Sequence, residues 1–319
     1  MNAQVLATQA LAKSTQLSAR ASPRERIAAF MMRASFEATR LMPGDIEALR
    51  ASIAPKTPIY ISAVPSRPRD AQIDIAARLA AAGFEPVPHI AVRSFASGAE
   101  LDRHLSRLNN DAGVRRLLVI GGDIAAPAGP FFAAVEVIES GLLQGRGIVE
   151  IGIAAYPEGH PRLGATELDR ALAAKVEAAA ETGLAVHIVT QFGFSARTIL
   201  DWIARLRDQG IDLPVRIGLA GPTTLSGLVR YARICGVTAS AQGLMRHTGL
   251  ARQLFGMVTP DTVVRALAEQ VADLGEVAPH VFSFGGLAAA CRWAAAAAAG
   301  RITLDRADGF TVEPPAKMP

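Results

Sequence analysis

The segment IAAYPEGHP (153–161) places reactive side chains directly after an apolar run. Proline lacks a backbone N–H and fixes φ, so two prolines within five positions cannot continue a strand. The chain must therefore leave a strand here and enter a loop of fixed shape. Tyr156, Glu158 and His160 give this loop a phenol, a carboxyl and an imidazole. Such groups bind ligands or transfer protons, and loops at strand ends often carry function.

Four other apolar runs carry polar side chains at or near their ends. The segments are SFE (35–37), PHI (88–90), GGD (121–123) and TQF (190–192), which supply Glu37, His89, Asp123 and Gln191. If the runs are parallel strands of one sheet, their carboxyl ends meet on one side of it. We therefore expect these side chains to converge with the YPEGHP loop.

The elements that must position them alternate between strand-like and helix-like patterns. The apolar runs cover residues 31–37, 58–64, 86–92, 115–121, 149–155, 185–191, 215–220 and 279–284. Between them, 3.6-residue apolar spacing predicts helices at 70–82, 99–108, 166–181, 196–208 and 224–235. Strands that are apolar on both faces are typical of a parallel sheet covered by helices. Eight such units predict an α/β fold of the (β/α)8, or TIM-barrel, class.

A doubly wound open sheet is the alternative fold, but no G-x-G-x-x-G fingerprint follows an early strand. The barrel is predicted as one catalytic domain over residues 28–305, with an N-terminal extension (1–27) and a C-terminal tail (306–319). The enlarged connection 236–278 is helix-rich. Its residues Gln242, Arg246 and His247 are expected to shape the pocket or an interface, or to lie on a surface helix.

Composition excludes several classes of function. No stretch approaches the ~20 strongly apolar residues of a membrane span. The net charge of +4 comes from scattered basic residues, which suits an anionic small molecule and not a nucleic-acid surface. Cys235 and Cys291 are predicted to be reduced core thiols, and no metal site is predicted. The first 24 residues have three basic residues and no acid, but they lack a cleavage pattern, so we expect a cytoplasmic protein.

Taken in order, these segments resemble the methylenetetrahydrofolate reductase family. The resemblance extends from about residue 33 to residue 300 and includes AAYPEGHP (154–161) and KVEAAAETG (175–183) as well as the four segments above. It implies a barrel in which NADH or NADPH reduces FAD, and the reduced flavin passes hydride to 5,10-methylenetetrahydrofolate. The product is 5-methyltetrahydrofolate. Tetrahydrofolate derivatives and a nicotinamide nucleotide are the implied partners, and a homo-oligomer is possible.

The resemblance also implies roles for individual residues. Glu37 is the acid that protonates the bridge nitrogen of the folate, and we expect burial to raise its pKa so that it stays protonated. Asp123 faces the pterin and stabilises a cationic iminium, while Gln191 recognises substrate and reductant in turn. Phe192 is predicted to contact substrate. The flavin-binding positions are His89, Asp123, Ala155, Tyr156, His160 and Lys175, with Lys175 beside the diphosphate.

The residues alone leave structural alternatives open. Glu37 would then form an ion pair in the barrel mouth, Asp123 would start a turn, and Lys175 would be a surface lysine. The chain also departs from the family pattern at several positions. The residues concerned are Ala38, Thr39 and Arg40 after the first strand, Gly121 before Gly-Asp, Ala171 and Ala174 on the flavin helix, and the absence of an arginine in SFGG (283–286), with Arg292 further on.

These departures motivate three alternative functions. In the first, hydride passes directly from NAD(P)H to folate without flavin. In the second, the barrel is a tetrahydrofolate-dependent methyltransferase. In the third, it binds folate without catalysis. The oxidoreductase would work either as the reductase or in reverse, oxidising 5-methyltetrahydrofolate.

Overall fold

The computed structural model describes residues 21–237, 257–306 and 308–313 of the 319-residue chain. These residues form a closed barrel of eight parallel strands surrounded by helices. The predicted (β/α)8 fold is therefore confirmed. Gln242, Arg246 and His247 lie outside the described residues.

The barrel strands follow each other around the barrel in chain order, and the last closes against the first. They are β1 Ser35–Ala38, β2 Pro58–Ile61, β3 Glu85–Ala91, β4 Arg116–Ile120, β5 Glu150–Ala155, β6 Ala185–Thr190, β7 Val215–Ala220 and β10 Val277–Phe282. Two short antiparallel pairs lie outside it: β8 Thr223–Thr224 with β9 Met257–Val258, and β11 Ile302–Leu304 with β12 Phe310–Val312. Each predicted strand overlaps an observed one.

The described helices pack around the strands. They are Pro23–Met31, Asp45–Ser52, Arg69–Ala81, Gly98–Ala112, Ala134–Glu139, Leu142–Gly145, Ala165–Thr182, Ala196–Asp208, Leu225–Ile234, Asp261–Gln270 and Leu287–Ala298, with 3₁₀ turns at Val92–Ser94 and Val271–Asp273. None of these helices has the length and apolar character that a membrane span requires. Both cysteines are free thiols, as predicted; Cys291 is buried in the core, whereas Cys235 is half-buried.

The first strand begins later than predicted. The expected strand was 31–37, but the helix Pro23–Met31 occupies its start and β1 begins at Ser35. Ser22 caps this helix together with Glu25, and Pro23 fits its first turn, where no N–H partner is needed. Ile27, Phe30 and Met31 are buried against the barrel. An apolar run alone does not separate a helix end from a strand, which explains the error.

The limits of the predicted domain at residues 27 and 305 remain predictions. The helix Pro23–Met31 crosses the first limit and packs on the helices Asp261–Gln270 and Leu287–Ala298. The hairpin of β11 and β12 crosses the second, and its Phe310 stacks on buried Trp293. Both segments therefore contribute to the core around the barrel.

The register of the strands determines which side chains meet inside the barrel. Ser35 of β1 is the partner of His280 of β10, and Glu37 is the partner of Tyr60 of β2. Side chains two residues apart along a strand share a face, so Ser35 and Glu37 both point inward. The sequence motif SFE thereby brings a hydroxyl and a carboxyl next to the imidazole of a strand more than 240 residues later.

Candidate functional site

A cavity of about 1190 Å³ opens at the carboxyl ends of the strands. It is larger than the roughly 300–1,000 Å³ of typical small-molecule pockets, so it has room for a cofactor beside a substrate. Eight of the nine predicted site residues line it: Glu37, His89, Asp123, Ala155, Tyr156, His160, Lys175 and Gln191. Phe192 lies outside the lining; it is buried against Phe194 and Phe284.

Glu37 is held by side chains from three neighbouring strands. Ser62, just after β2, donates a hydrogen bond of 2.6 Å to Glu37 Oε1. The Nε2 atoms of His280 and His89 lie 3.5 Å and 3.9 Å from Glu37 Oε2. Ser283 donates to the backbone carbonyl of Glu37. We call Glu37, Ser62, His89 and His280 the carboxylate cluster.

The protonation of Glu37 differs from the expectation. Burial raises the pKa of Glu37, but His89, His280 and Ser62 lower it, and the net pKa lies below its ordinary value. Burial lowers the pKa of both histidines, so they are neutral near pH 7. The prediction of a raised pKa was wrong because it considered desolvation alone. In the free protein Glu37 is therefore a carboxylate.

His280 is a member of this cluster that the motifs missed. It is fully buried, and its Nδ1 lies 3.0 Å from Ser35 Oγ. If Ser35 donates to Nδ1, the proton of the neutral ring is on Nε2 and points at Glu37. The sequence signal that could have identified His280 was a histidine in the apolar run PHVFSF. An ordinary buried strand can have the same composition, so this signal did not stand out.

The YPEGHP loop forms part of the cavity wall. Strand β5 ends at Ala155, as the prolines predict. The rings of Tyr156 and His160 pack edge to face with centroids 4.9 Å apart, and burial raises the pKa of Tyr156. The backbone N–H of Arg162 donates to His160 Nδ1 over 3.2 Å. The loop therefore presents two aromatic side chains in a fixed relative orientation.

Glu158 has a different position from its neighbours in the loop. Its Oε1 accepts hydrogen bonds from the backbone N–H groups of Phe194 and Ser195, at 2.7 and 2.6 Å. A Cβ at Gly193 would lie 2.7 Å from the same oxygen, so the contact requires glycine there. Glu158 thus fastens the loop after β5 to the loop after β6.

Lys175 reaches inward from the helix Ala165–Thr182 instead of lying on the surface. Its Nζ donates to the carbonyl of Ala154 over 2.8 Å, and burial lowers its pKa to about 8. The described part of the chain offers it no carboxylate partner. A half-buried ammonium without a carboxylate partner is a favourable site for an anionic ligand group.

Asp123 and Gln191 lie on the cavity wall with few internal contacts. Asp123 is exposed, and Gln191 is half-buried with its side-chain oxygen accepting from the N–H of Phe192 over 3.0 Å. The amide nitrogen of Gln191 is left for other partners. Arg93 also lines the cavity beside Gly121, the position where the family usually has a basic residue. The sequence motifs did not identify Arg93.

The other departures from the family pattern are visible in the cavity as well. Ala171 and Ala174 are exposed and line it, so methyl groups occupy positions where the resemblance implies polar side chains. Arg292 is exposed on the helix Leu287–Ala298 and lies outside the cavity lining. This wall of the cavity therefore offers fewer charged contacts than the resemblance implies.

A second group of polar side chains extends from Tyr60 in the barrel interior to the amino-terminal ends of the strands. Tyr60 Oη lies 2.6 Å from His187 Nε2, and His187 Nδ1 lies 2.8 Å from Glu150. Arg116 joins Glu150 to Glu85, with both distances 2.8 Å. Glu85, Arg116 and Glu150 are the first residues of their strands. We call Glu85, Arg116, Glu150 and His187 the ion-pair cluster, and Tyr60 is joined to it through His187. Barrel interiors are more often filled by apolar side chains.

The fold and the cavity together define a class of protein: an α/β barrel whose polar groups converge at the carboxyl ends of its strands, as in barrel enzymes. A family model described as Methylenetetrahydrofolate reductase matches residues 63–249, which is more than half of the chain. The chain therefore belongs to the methylenetetrahydrofolate reductase family.

Individual relatives are distant. The 5,10-methylenetetrahydrofolate reductase of Pectobacterium carotovorum subsp. carotovorum is 28% identical over 157 residues, covering 49% of this chain and 50% of the relative. That of Salmonella typhimurium is 27% identical over 195 residues, covering 59% and 63%. The chain thus spans between one half and two thirds of the length of these curated relatives.

One solved structure shares the architecture. An uncharacterized protein from Clostridium thermocellum, described as binding two copies of 5-methyl-5,6,7,8-tetrahydrofolic acid, aligns with a TM-score of 0.53. The identity is 11%, over 82% of this chain and 94% of that one. At this level of identity the similarity supports the barrel fold alone.

Proposed function

We propose that this protein is a folate oxidoreductase that interconverts 5,10-methylenetetrahydrofolate and 5-methyltetrahydrofolate with NADH or NADPH. Family membership supports both the chemistry and the substrate class, since the matched relatives are 5,10-methylenetetrahydrofolate reductases. The observation that carries the proposal is Glu37, a carboxyl group held by three strand ends at the wall of a large cavity. A cytoplasmic location and a homo-oligomer remain predictions.

Glu37 supplies the proton that opens the five-membered ring of the substrate. In the free protein it is ionised, so the proton must be taken up when substrate binds. A bound pterin excludes water from the cavity, which favours the neutral carboxyl over the carboxylate. Protonated Glu37 then gives its proton to the bridge nitrogen of the folate, and His280 and Ser62 keep the carboxyl directed at the cavity.

Asp123 and Gln191 act on the ring that opens. The iminium formed by ring opening is cationic, and the exposed carboxylate of Asp123 on the cavity wall stabilises it by its charge. Gln191 has an amide with donor and acceptor atoms at the end of β6, which suits recognition of folate and nicotinamide in turn.

The residues present fit a flavin at one end of the cavity. The half-buried ammonium of Lys175, which lacks a carboxylate partner among the described residues, suits a diphosphate. Tyr156 and His160 offer aromatic surface, while His89 and Ala155 complete the predicted contacts. A bound FAD would carry hydride between the nicotinamide and the folate.

Direct hydride transfer without flavin is the second candidate. It is favoured by Ala171 and Ala174, whose exposed methyl groups line the cavity where the family has polar side chains. Hydrogen bonds to charged groups contribute roughly 1.5–3 kcal/mol each, so the loss of two weakens flavin binding considerably. The cavity then holds nicotinamide and folate side by side.

The test is NADH and NADPH oxidation by the flavin-stripped protein, with 5,10-methylenetetrahydrofolate as acceptor, with and without added FAD. We expect turnover in at least one of these conditions. Turnover that requires FAD supports hydride passage through flavin, whereas equal turnover without FAD supports direct transfer. Lys175→Met is the matched variant: it should raise the concentration of FAD required if Lys175 binds the diphosphate.

The remaining alternatives give different results in the same assay. A tetrahydrofolate-dependent methyltransferase would use the methyl group of 5-methyltetrahydrofolate without oxidising NADH or NADPH. A barrel that only binds folate would show affinity by calorimetry and no turnover in either direction. Absence of nicotinamide oxidation under all conditions, together with no reverse reaction from 5-methyltetrahydrofolate, would overturn the proposal.

A further inference from the structure

Tyr60 lies between the two polar clusters of the barrel interior. It is the register partner of Glu37 on the adjacent strand, and only 1% of its surface is exposed. Its ring packs edge to face against the imidazole of His280, with centroids 4.6 Å apart and planes at 70°. It also faces His89, at 6.2 Å and 72°. One aromatic ring therefore supports both imidazoles that flank Glu37.

The two imidazoles need such support. Their Nε2 atoms are buried and have no closely bonded partner among the residues the structure describes. The separations from Glu37 Oε2, 3.5 and 3.9 Å, are longer than a normal hydrogen bond. At these separations Nε2 holds neither ring closely, although Ser35 bonds the other ring nitrogen of His280 over 3.0 Å. Contact with the Tyr60 ring further restricts the rotation of both imidazoles by packing.

The position of Tyr60 is itself fixed from the other end. Its hydroxyl lies 2.6 Å from His187 Nε2, and His187 is held by Glu150 at 2.8 Å. Arg116 then connects Glu150 to Glu85 at the start of β3. Burial raises the pKa of Tyr60, so the phenol keeps its proton at all physiological pH values. The ring is therefore attached to a charged network within the strands.

We propose that Tyr60 is a positioning residue: its ring, anchored through His187 to the ion-pair cluster, holds His280 and His89 in the orientation that directs the carboxyl of Glu37. The inference rests on the proposed function, which gives the carboxyl of Glu37 its catalytic role. The contacts of Tyr60 do not depend on that function, so the role of Tyr60 and the proposed function can be tested separately.

Several charged and titratable groups surround Glu37 and influence its pKa. His89 faces it from β3, His280 from β10, and the Cys235 thiol from the end of the helix Leu225–Ile234. Arg216 of β7 acts on His280. Loosening the imidazoles removes contacts that favour the carboxylate, so proton binding by Glu37 should strengthen.

The experiment titrates the Glu37 carboxyl by difference infrared spectroscopy, with Glu37→Gln to assign its band. In Tyr60→Leu we expect the proton affinity of Glu37 to rise about tenfold, and in Tyr60→Phe, which keeps the ring, about threefold. In the reductase assay the pH profile of kcat should shift in the same direction. We also expect kcat to fall about 10- to 100-fold in Tyr60→Leu with little change in KM.

Phe310→Leu is the matched control, since it removes a buried ring from the terminal hairpin. It should lower Tm without changing the titration. A folded Tyr60→Leu protein with the parent titration would overturn the proposal; if that variant does not fold, an unchanged titration in Tyr60→Phe does so. If the parent has no reductase activity, the proposed function fails while the infrared result still decides the role of Tyr60.

Discussion

The carboxylate cluster and the ion-pair cluster lie inside the same barrel, but their charges are compensated differently. In the ion-pair cluster, Glu85 and Glu150 share Arg116 at 2.8 Å, and His187 adds a further contact. In the carboxylate cluster, neutral imidazoles stand 3.5 Å and 3.9 Å from Glu37, with the cavity on the other side. The ion-pair cluster is neutralised by its own arginine, whereas the carboxyl of Glu37 lies at the wall of a cavity where a bound ligand would reach it.

The largest expected effect follows from removing the acid of the carboxylate cluster. Glu37→Gln should lower kcat about 10²- to 10⁴-fold, the usual contribution of a general acid, while folate binding persists. Steady-state kinetics and calorimetry measure the two quantities. Glu276→Gln is the control, since this exposed carboxylate lies away from the cavity and pairs with Arg33. A Glu37→Gln protein as active as its parent would show that the carboxylate cluster has no catalytic role.

Acidification should affect both clusters, because each contains buried neutral histidines. Burial lowers the pKa of His89, His187 and His280, so the unfolded chain binds protons that the folded chain does not. The stabilisation from these neutral histidines is therefore fully present above pH 6.5, the ordinary pKa of histidine. The free energy of unfolding falls as the pH decreases below that value. His104, outside both clusters, has a pKa of about 4 and contributes about 3 kcal/mol to this loss.

Urea titrations at several pH values measure the effect. His104→Gln keeps a donor for Gln72 and should flatten part of the pH dependence. A free energy of unfolding that is constant between pH 6.5 and 4 would contradict the burial of neutral imidazoles.

Breaking the ion-pair cluster should lower stability more than activity. Glu150→Ala leaves Arg116 and His187 without their shared partner, and we expect the free energy of unfolding to fall by about 2–3 kcal/mol, since the site is only partly buried. Asp201→Ala, in an exposed pair with Arg197, should change it by less than about 0.5 kcal/mol. If Glu150→Ala reduced kcat as strongly as Glu37→Gln, the two clusters would not differ in purpose.

The smallest expected effect tests how closely the ion-pair cluster is packed. A Cβ at Gly152 of β5 would lie 2.8 Å from His187 Nε2 and 3.0 Å from Leu118 Cδ1. Gly152→Ala should therefore lower the free energy of unfolding by about 1–3 kcal/mol, as overpacking does. Thermal unfolding measures the change. Gly164→Ala is the control, because a Cβ there would contact nothing within 4 Å, and it should be nearly neutral. Gly210 also has open space, but its positive φ would strain an alanine.

The sequence predicted the architecture well because each strand has its own local signal. Alternating apolar runs and helical spacing identified all eight strands. The largest boundary errors are the start of β1 and the end of β2, which stops at Ile61 and not at residue 64. Eight of the nine predicted site residues share one cavity, because parallel strands bring their carboxyl ends together, whereas Phe192 lies outside it.

What the sequence did not predict depends on contacts between distant residues. The lowered pKa of Glu37 arises from His89, His280 and Ser62 together. Of these, His280 stands 243 positions away in an apolar run without any motif. Glu85, Arg116 and Glu150 begin their strands, where charged residues are common, so nothing marked them as a network. Closed barrels pair the first strand with the last, and only the structure shows which side chains then meet.

The contact between Glu158 and Gly193 has a consequence for how this protein can evolve. Any side chain at position 193 would collide with the carboxylate that bridges two loops. Neither residue can change first without loss, so the two should be inherited together among descendants of this chain. A lineage that lost the carboxylate at position 158 would no longer require glycine at position 193. Comparison of such lineages would therefore show covariation between the two positions.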